Sequence, residues 1–212
     1  MTEESDLYTR WLEFLFNRPT NELQWYFALD YEEFPASNEE LVHLVGRTFA
    51  QSGSDLLKYT DAQVADGLSY IFFNSASNVI YSIVQKGVPD ADREQAVLNL
   101  KYLYRDCFAK RCANALSHMD ESDCSSLNRV CYMLWDDSPL GRWKDVVLEV
   151  MDYALYLPNN ACVESALHGL GHRHYQTSEK VEEIVDRFLN KSKNLRSELK
   201  QYAAKAKFGH VQ

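Results

Sequence analysis

Between residues 161 and 174 the chain reads ACVESALHGLGHRH, with alanines and glycines set among leucines at helical spacing. Small side chains let a neighbouring element come close to the helix axis, so a segment of this kind belongs inside a pack of helices. On a wheel of about 100° per residue, Val163, Leu167 and Leu170 fall within about 60° of one another and make the buried stripe. Ala166, Leu167 and Leu170 are therefore expected in the core. Gly169 and Gly171 flank Leu170, and each costs about 1 kcal/mol against Ala inside a helix. Two such costs in one turn predict close approach by another backbone.

The rest of the chain has the same period. Gly (8) and Pro (5) are too scarce in 212 residues for the turns of a sheet protein. Leu7, Trp11, Phe14 and Leu15 predict a helix that ends before Pro19, and residues 20–30 predict a short second one. Ser37 with Glu40 forms a capping box for a third. Val64, Leu68, Ile71, Ser75, Val79 and Ile83 then share one face over residues 61–86, which predicts a single helix of about 39 Å. Gly87 and Pro89 stop it, and Asp90 opens a partner with Val97, Leu100, Tyr104, Cys107 and Phe108 on its apolar face. Residues 61–115 thus read as a long antiparallel helical hairpin. Beyond a polar loop at 117–127, residues 141–157 pair with 160–173, and 178–190 with 193–207. The expectation is an all-α chain of antiparallel helical hairpins forming a single domain over 1–212. Its acidic N-terminal helices occupy 1–60, and stacked short hairpins occupy 127–207.

The C-terminal hairpins, about 35 residues each, resemble HEAT and other alpha-solenoid repeats. The stretches NRVCYMLWDDSP and ACVESALHGLGH are also similar to those of a group of uncharacterised bacterial helical proteins. These resemblances imply a HEAT-like arrangement in the C-terminal part and carry no activity with them.

Charge narrows the partners. The net charge is −9, and residues 1–61 alone hold 12 acids against 4 bases, for −8. Such a field repels phosphates and attracts basic surfaces, so no nucleic acid is expected as a ligand. No apolar run approaches the roughly 18 residues of a membrane span, so no membrane association is expected. The start, MTEESDLYTR, is acidic where a signal peptide needs positive charge, and a cytoplasmic location is expected. Cys107, Cys112, Cys124, Cys131 and Cys162 include no CxxC pair and read as reduced, mainly buried thiols.

Few residues are arranged for chemistry. Glu164, His168 and His172 stack along one polar flank of the 161–174 helix, and two histidines at i, i+4 can share a metal. His174 lies on the core side, and HExxH is absent. Only two histidines share a face, so no metal and no cofactor are expected. A metal-dependent enzyme using Glu164, His168 and His172 is the alternative. His118, Asp120 and Cys124 share a loop without the spacing of an activated cysteine. Asp136 and Asp137 follow Trp135 at a helix C-terminus, where the dipole disfavours acids. A Mg²⁺ pair or a solvated turn would account for them, the solvated turn being favoured, and Asp137 could also cap the next helix.

The stretch WYFALDYEEFP mixes five aromatics with acids. Trp25, Asp30, Tyr31, Glu32 and Glu33 are the expected contacts to a basic protein. The reading is a non-enzymatic protein-binding module. Its sharper form is an immunity protein that neutralises a basic, nuclease-type cognate toxin domain, with a regulatory adaptor as a further alternative. The sequence leaves the oligomeric state open.

Overall fold

Side chains that cap the backbone set where helices begin. Ser37, Thr60 and Ser125 each accept from the amide three residues on, and Glu40, Gln63 and Asn128 each reach back to the cap amide. Asn159 caps its helix by accepting from the amide of Ala161. The structure is a computed structural model that describes residues 3–20, 23–136 and 138–211. Its helices are α1 (Glu3–Phe16), α2 (Asn38–Ala50), α3 (Ser52–Asp55), α4 (Asp61–Phe72), α5 (Asp90–Leu98), α6 (Leu100–Tyr102), α7 (Ala109–Arg111), α8 (Ser126–Met133), α9 (Lys144–Ala154), α10 (Asn160–Lys191) and α11 (Ser197–Ala206). Short 3-10 turns lie at Trp25–Phe27, Val79–Val84, Ser117–Met119 and Pro139–Arg142. A π-helical stretch, Leu103–Phe108, joins α6 to α7. No strand occurs among the described residues, so the chain is all-α. No helix among them is long and apolar enough to cross a membrane.

Three expectations need correction. The helix predicted over 20–30 is a single 3-10 turn, Trp25–Phe27, because its aromatics turn inward onto Phe14 and Tyr70. The helix predicted over 61–86 stops at Phe72. There Ser77 Oγ donates to the carbonyl of Tyr70 and accepts from the amide of Val79, offering the backbone partners that a continuing helix would otherwise supply. The long hairpin over 61–115 is therefore absent: α4 packs on α1 and α8, while α5 packs on α2 and α9. Finally, α10 passes through the loop expected near residue 177 as a kink. Thr177 has non-helical angles (φ −146°, ψ 45°), and its hydroxyl donates back to the carbonyl of Arg173. Such a bond bends a helix.

The pairings expected over 127–207 do occur, since α10 packs against both α9 and α11. Ala166, Leu167 and Leu170 are fully buried. The π-helical stretch turns Tyr104 inward, where a relay of hydrogen bonds crosses the core. Trp135 Nε1 donates to Tyr104 Oη at 2.8 Å, Tyr104 Oη lies 2.6 Å from Ser165 Oγ, and Ser165 donates to the carbonyl of Cys131. Ser165's one proton is thus in use, so Tyr104 donates to it. Just beyond, Arg111 donates to the carbonyls of Leu56 (2.9 Å) and Tyr59 (2.7 Å) and pairs with Asp61. All five cysteines are free; four are buried and Cys124 is half-buried.

Side chains, not a backbone, fill the space beside the α10 glycines. A Cβ on Gly169 would lie 2.6 Å from Met151 Cε and 2.7 Å from Trp135 Cδ1, and one on Gly171 would lie 2.5 Å from Val211 Cγ2. Gly169→Ala gains about 1 kcal/mol of helix propensity. The buried indole cannot swing aside as the Met151 tip can, so the net outcome expected is a loss of about 1–3 kcal/mol. Urea unfolding checks this, and an unchanged midpoint would mean that the indole moves freely.

Candidate functional site

Two places on the molecule hold groups not explained by packing alone. The first is the flank of α10 that carries Glu164, His168 and His172. This flank is not a solvent face: α11 and the turn at 117–119 cover it, leaving Glu164 and His168 buried. Glu164 is turned away from both histidines. Its carboxylate accepts from the amides of Ser117 and His118, each at 2.9 Å, and contacts His118 Nδ1 at 2.5 Å. The proposed ligand set Glu164, His168 and His172 is therefore not assembled.

Asp136 stands where Glu164 was expected. It lies just past the end of α8, and its Oδ1 is 2.8 Å from His168 Nε2 and 3.4 Å from His172 Nε2. The two Nε2 atoms are 3.1 Å apart. On the far side of the ring, His168 Nδ1 is 2.6 Å from the hydroxyl of Tyr202, which in turn lies 3.1 Å from that of Tyr132. Burial, with the bond to Tyr132 second, holds the Tyr202 phenol far above its ordinary range, so it keeps its proton. Burial also lowers the His172 pKa, with repulsion from His168 next, which keeps that imidazole neutral near pH 7. Asp136 is thus not the solvated residue of an exposed turn. The available signal for it was its position at a helix C-terminus, which the dipole does not reward. Asp137 lies outside the described residues.

The other candidates separate. His174 lies 3.4 Å from Glu182 and does not join the histidine pair. His118 faces Glu164 and stacks on Tyr202, with ring centroids 4.1 Å apart. Cys124 meets Ser117 Oγ at 3.7 Å, and burial raises its thiol pKa, so it is not an activated nucleophile. Asp120 is the left-handed residue of the turn (φ 51°).

The second place is the acidic N-terminal face. Asp30, Glu32 and Glu33 are exposed, as expected. Trp25 and Tyr31 are half-buried. Trp25 packs edge-on against Phe14 and lies under the guanidinium of Arg18, while Tyr31 bonds Tyr70 through their hydroxyls at 2.7 Å. The apolar side chains offered to solvent are instead Leu23, Phe27 and Leu29, and Leu29 is completely exposed (108%). Leu23, Trp25, Tyr31 and the three acids line a common open hollow of about 680 Å³. Comparison with protein-family models, with curated proteins and with solved structures gives no match to this chain.

Proposed function

We propose that this protein acts by binding a basic protein, without catalysis of its own. The observation that carries the reading is the juxtaposition of exposed Leu23, Phe27 and Leu29 with exposed Asp30, Glu32 and Glu33 around one hollow. Large apolar side chains held in water cost free energy that a partner recovers by covering them. Acids around them steer a positively charged partner and reject acidic ones. Trp25 and Tyr31, tied into the aromatic cluster below, serve as the rigid floor of this surface. In its sharper form the partner is a nuclease-type toxin, whose cleft must be basic to hold phosphates, and the protein is its immunity protein. The paired helices α9–α10 and α10–α11 fit a HEAT-like stack, an architecture that presents extended protein-binding surfaces.

The test begins with the partner recovered from the native cells and purified. Glu32→Lys with Glu33→Lys should slow association by about tenfold, and the slowing should fade as salt screens charges beyond about 8 Å. Phe27→Ala and Leu29→Ala should speed dissociation by about tenfold or more. An acidic partner, or binding that ignores salt and all four substitutions, would place the interface elsewhere. A gene for a basic nuclease adjacent to this one would favour the immunity form.

A further inference from the structure

The geometry points to a binding site for a zinc-type divalent transition-metal ion, held by Asp136 Oδ1, His168 Nε2 and His172 Nε2, with one position left open. This goes beyond protein binding and does not depend on it. Counting ligands along α10 alone finds two, and the third comes from another segment. Among the described residues, this is the one His, Cys, Asp and Glu cluster whose ligand atoms all converge, within 4.8 Å of one another.

Three facts support the inference. The first is spacing. Tetrahedral zinc with bonds of about 2.0–2.1 Å holds its ligand atoms about 3.3 Å apart. The three atoms here are 2.8, 3.1 and 3.4 Å apart.

The second is a proton count. If His168 donates through Nδ1 to Tyr202, its Nε2 presents a lone pair to a carboxylate oxygen 2.8 Å away. Moving the proton to His168 Nε2 leaves the lone pair of His172 facing the same oxygen. Protonating both Nε2 atoms sets two N–H groups against each other at 3.1 Å. No neutral arrangement satisfies all three contacts. Asp136 Oδ1 is indeed buried with no hydrogen-bond partner of acceptable geometry, despite its short distance to His168. A cation at the centre turns all three lone pairs into ligands.

The third is support from behind. A ligating histidine needs its other nitrogen fixed, and the hydroxyl of Tyr202 does this for His168. Two imidazoles and one carboxylate select zinc-like ions over Mg²⁺ or Ca²⁺, which want oxygen donors. Asp136 retains about a fifth of its side-chain exposure and His172 more than a third, so the fourth position faces water. Arg173, the nearest cation on α10, donates to the carbonyl of Trp135.

The test uses the full chain, stripped with a chelator and titrated with Co²⁺ and then Zn²⁺. The expected result is one ion per chain, with the visible absorption of four-coordinate cobalt that zinc abolishes. His172→Ala and Asp136→Asn should each weaken binding by about 100-fold. Glu164→Gln should leave it within a few-fold, which separates this site from one built on Glu164. His172 is partly exposed and touches no helix cap, so His172→Ala should keep the wild-type circular dichroism while losing the rise in Tm that zinc gives. Absence of binding at micromolar metal would overturn the proposal. So would binding that survives both ligand substitutions, or effective competition by Mg²⁺.

Discussion

Replacing Glu164 with leucine should remove about 3–5 kcal/mol of stability, since a buried charged acceptor is lost while its donors remain. Those donors are the amides of Ser117 and His118 and the ring of His118, all on a turn 46 or 47 residues away in the chain. Each one left unsatisfied costs about 1–3 kcal/mol. Leucine fills the space but accepts nothing, so the turn must open to water, and Tyr202 then loses the imidazole stacked on it. Glutamine at the same position keeps one good acceptor and should lose about half as much. Denaturant unfolding followed by circular dichroism measures both. A loss below about 1 kcal/mol for Glu164→Leu would show that water already reaches the 117–118 amides.

The second large effect belongs to Leu167. It is completely buried on the inward stripe of α10. Leu167→Ala should cost about 2–5 kcal/mol, from lost transfer energy plus the cavity left behind. Leu23→Ala is the matched control: its side chain is 60% exposed, and its effect should stay within about 0.5 kcal/mol. Equal effects at the two positions would mean that α10 does not sit in the core.

What the sequence conveyed well was periodic. The buried stripe Val163, Leu167 and Leu170 and the pairing of α10 with its neighbours follow from apolar spacing, which backbone geometry enforces. What it conveyed badly was local competition. The stripe from Val64 to Ile83 has helical spacing, yet Ser77 supplies hydrogen bonds that end α4 early, and spacing does not register that. The candidate site failed in a related way. A wheel groups residues of one helix, so it joined Glu164 to His168 and His172. It has no means of placing Asp136, which reaches the same point from the end of α8, or Tyr202, which comes from α11. Exposure on the N-terminal face was misjudged for another reason. Trp25 and Tyr31 are the larger rings and bury more area when turned inward, which leaves Leu23, Phe27 and Leu29 outside.

The π-helical stretch Leu103–Phe108 constrains what heredity can do to this chain. A π turn bonds i to i+5 and so carries one more residue than an α turn. Deleting any one residue there would leave an ordinary, unbroken helix with no loop to repair. Everything beyond it would nevertheless rotate by about 100°. Arg111 would swing off the carbonyls of Leu56 and Tyr59 and away from Asp61, untying the strut between this helix and the start of α4. A frame-preserving loss of a single codon, ordinarily among the mildest of length changes, would here act as a shift of register through the middle of the molecule.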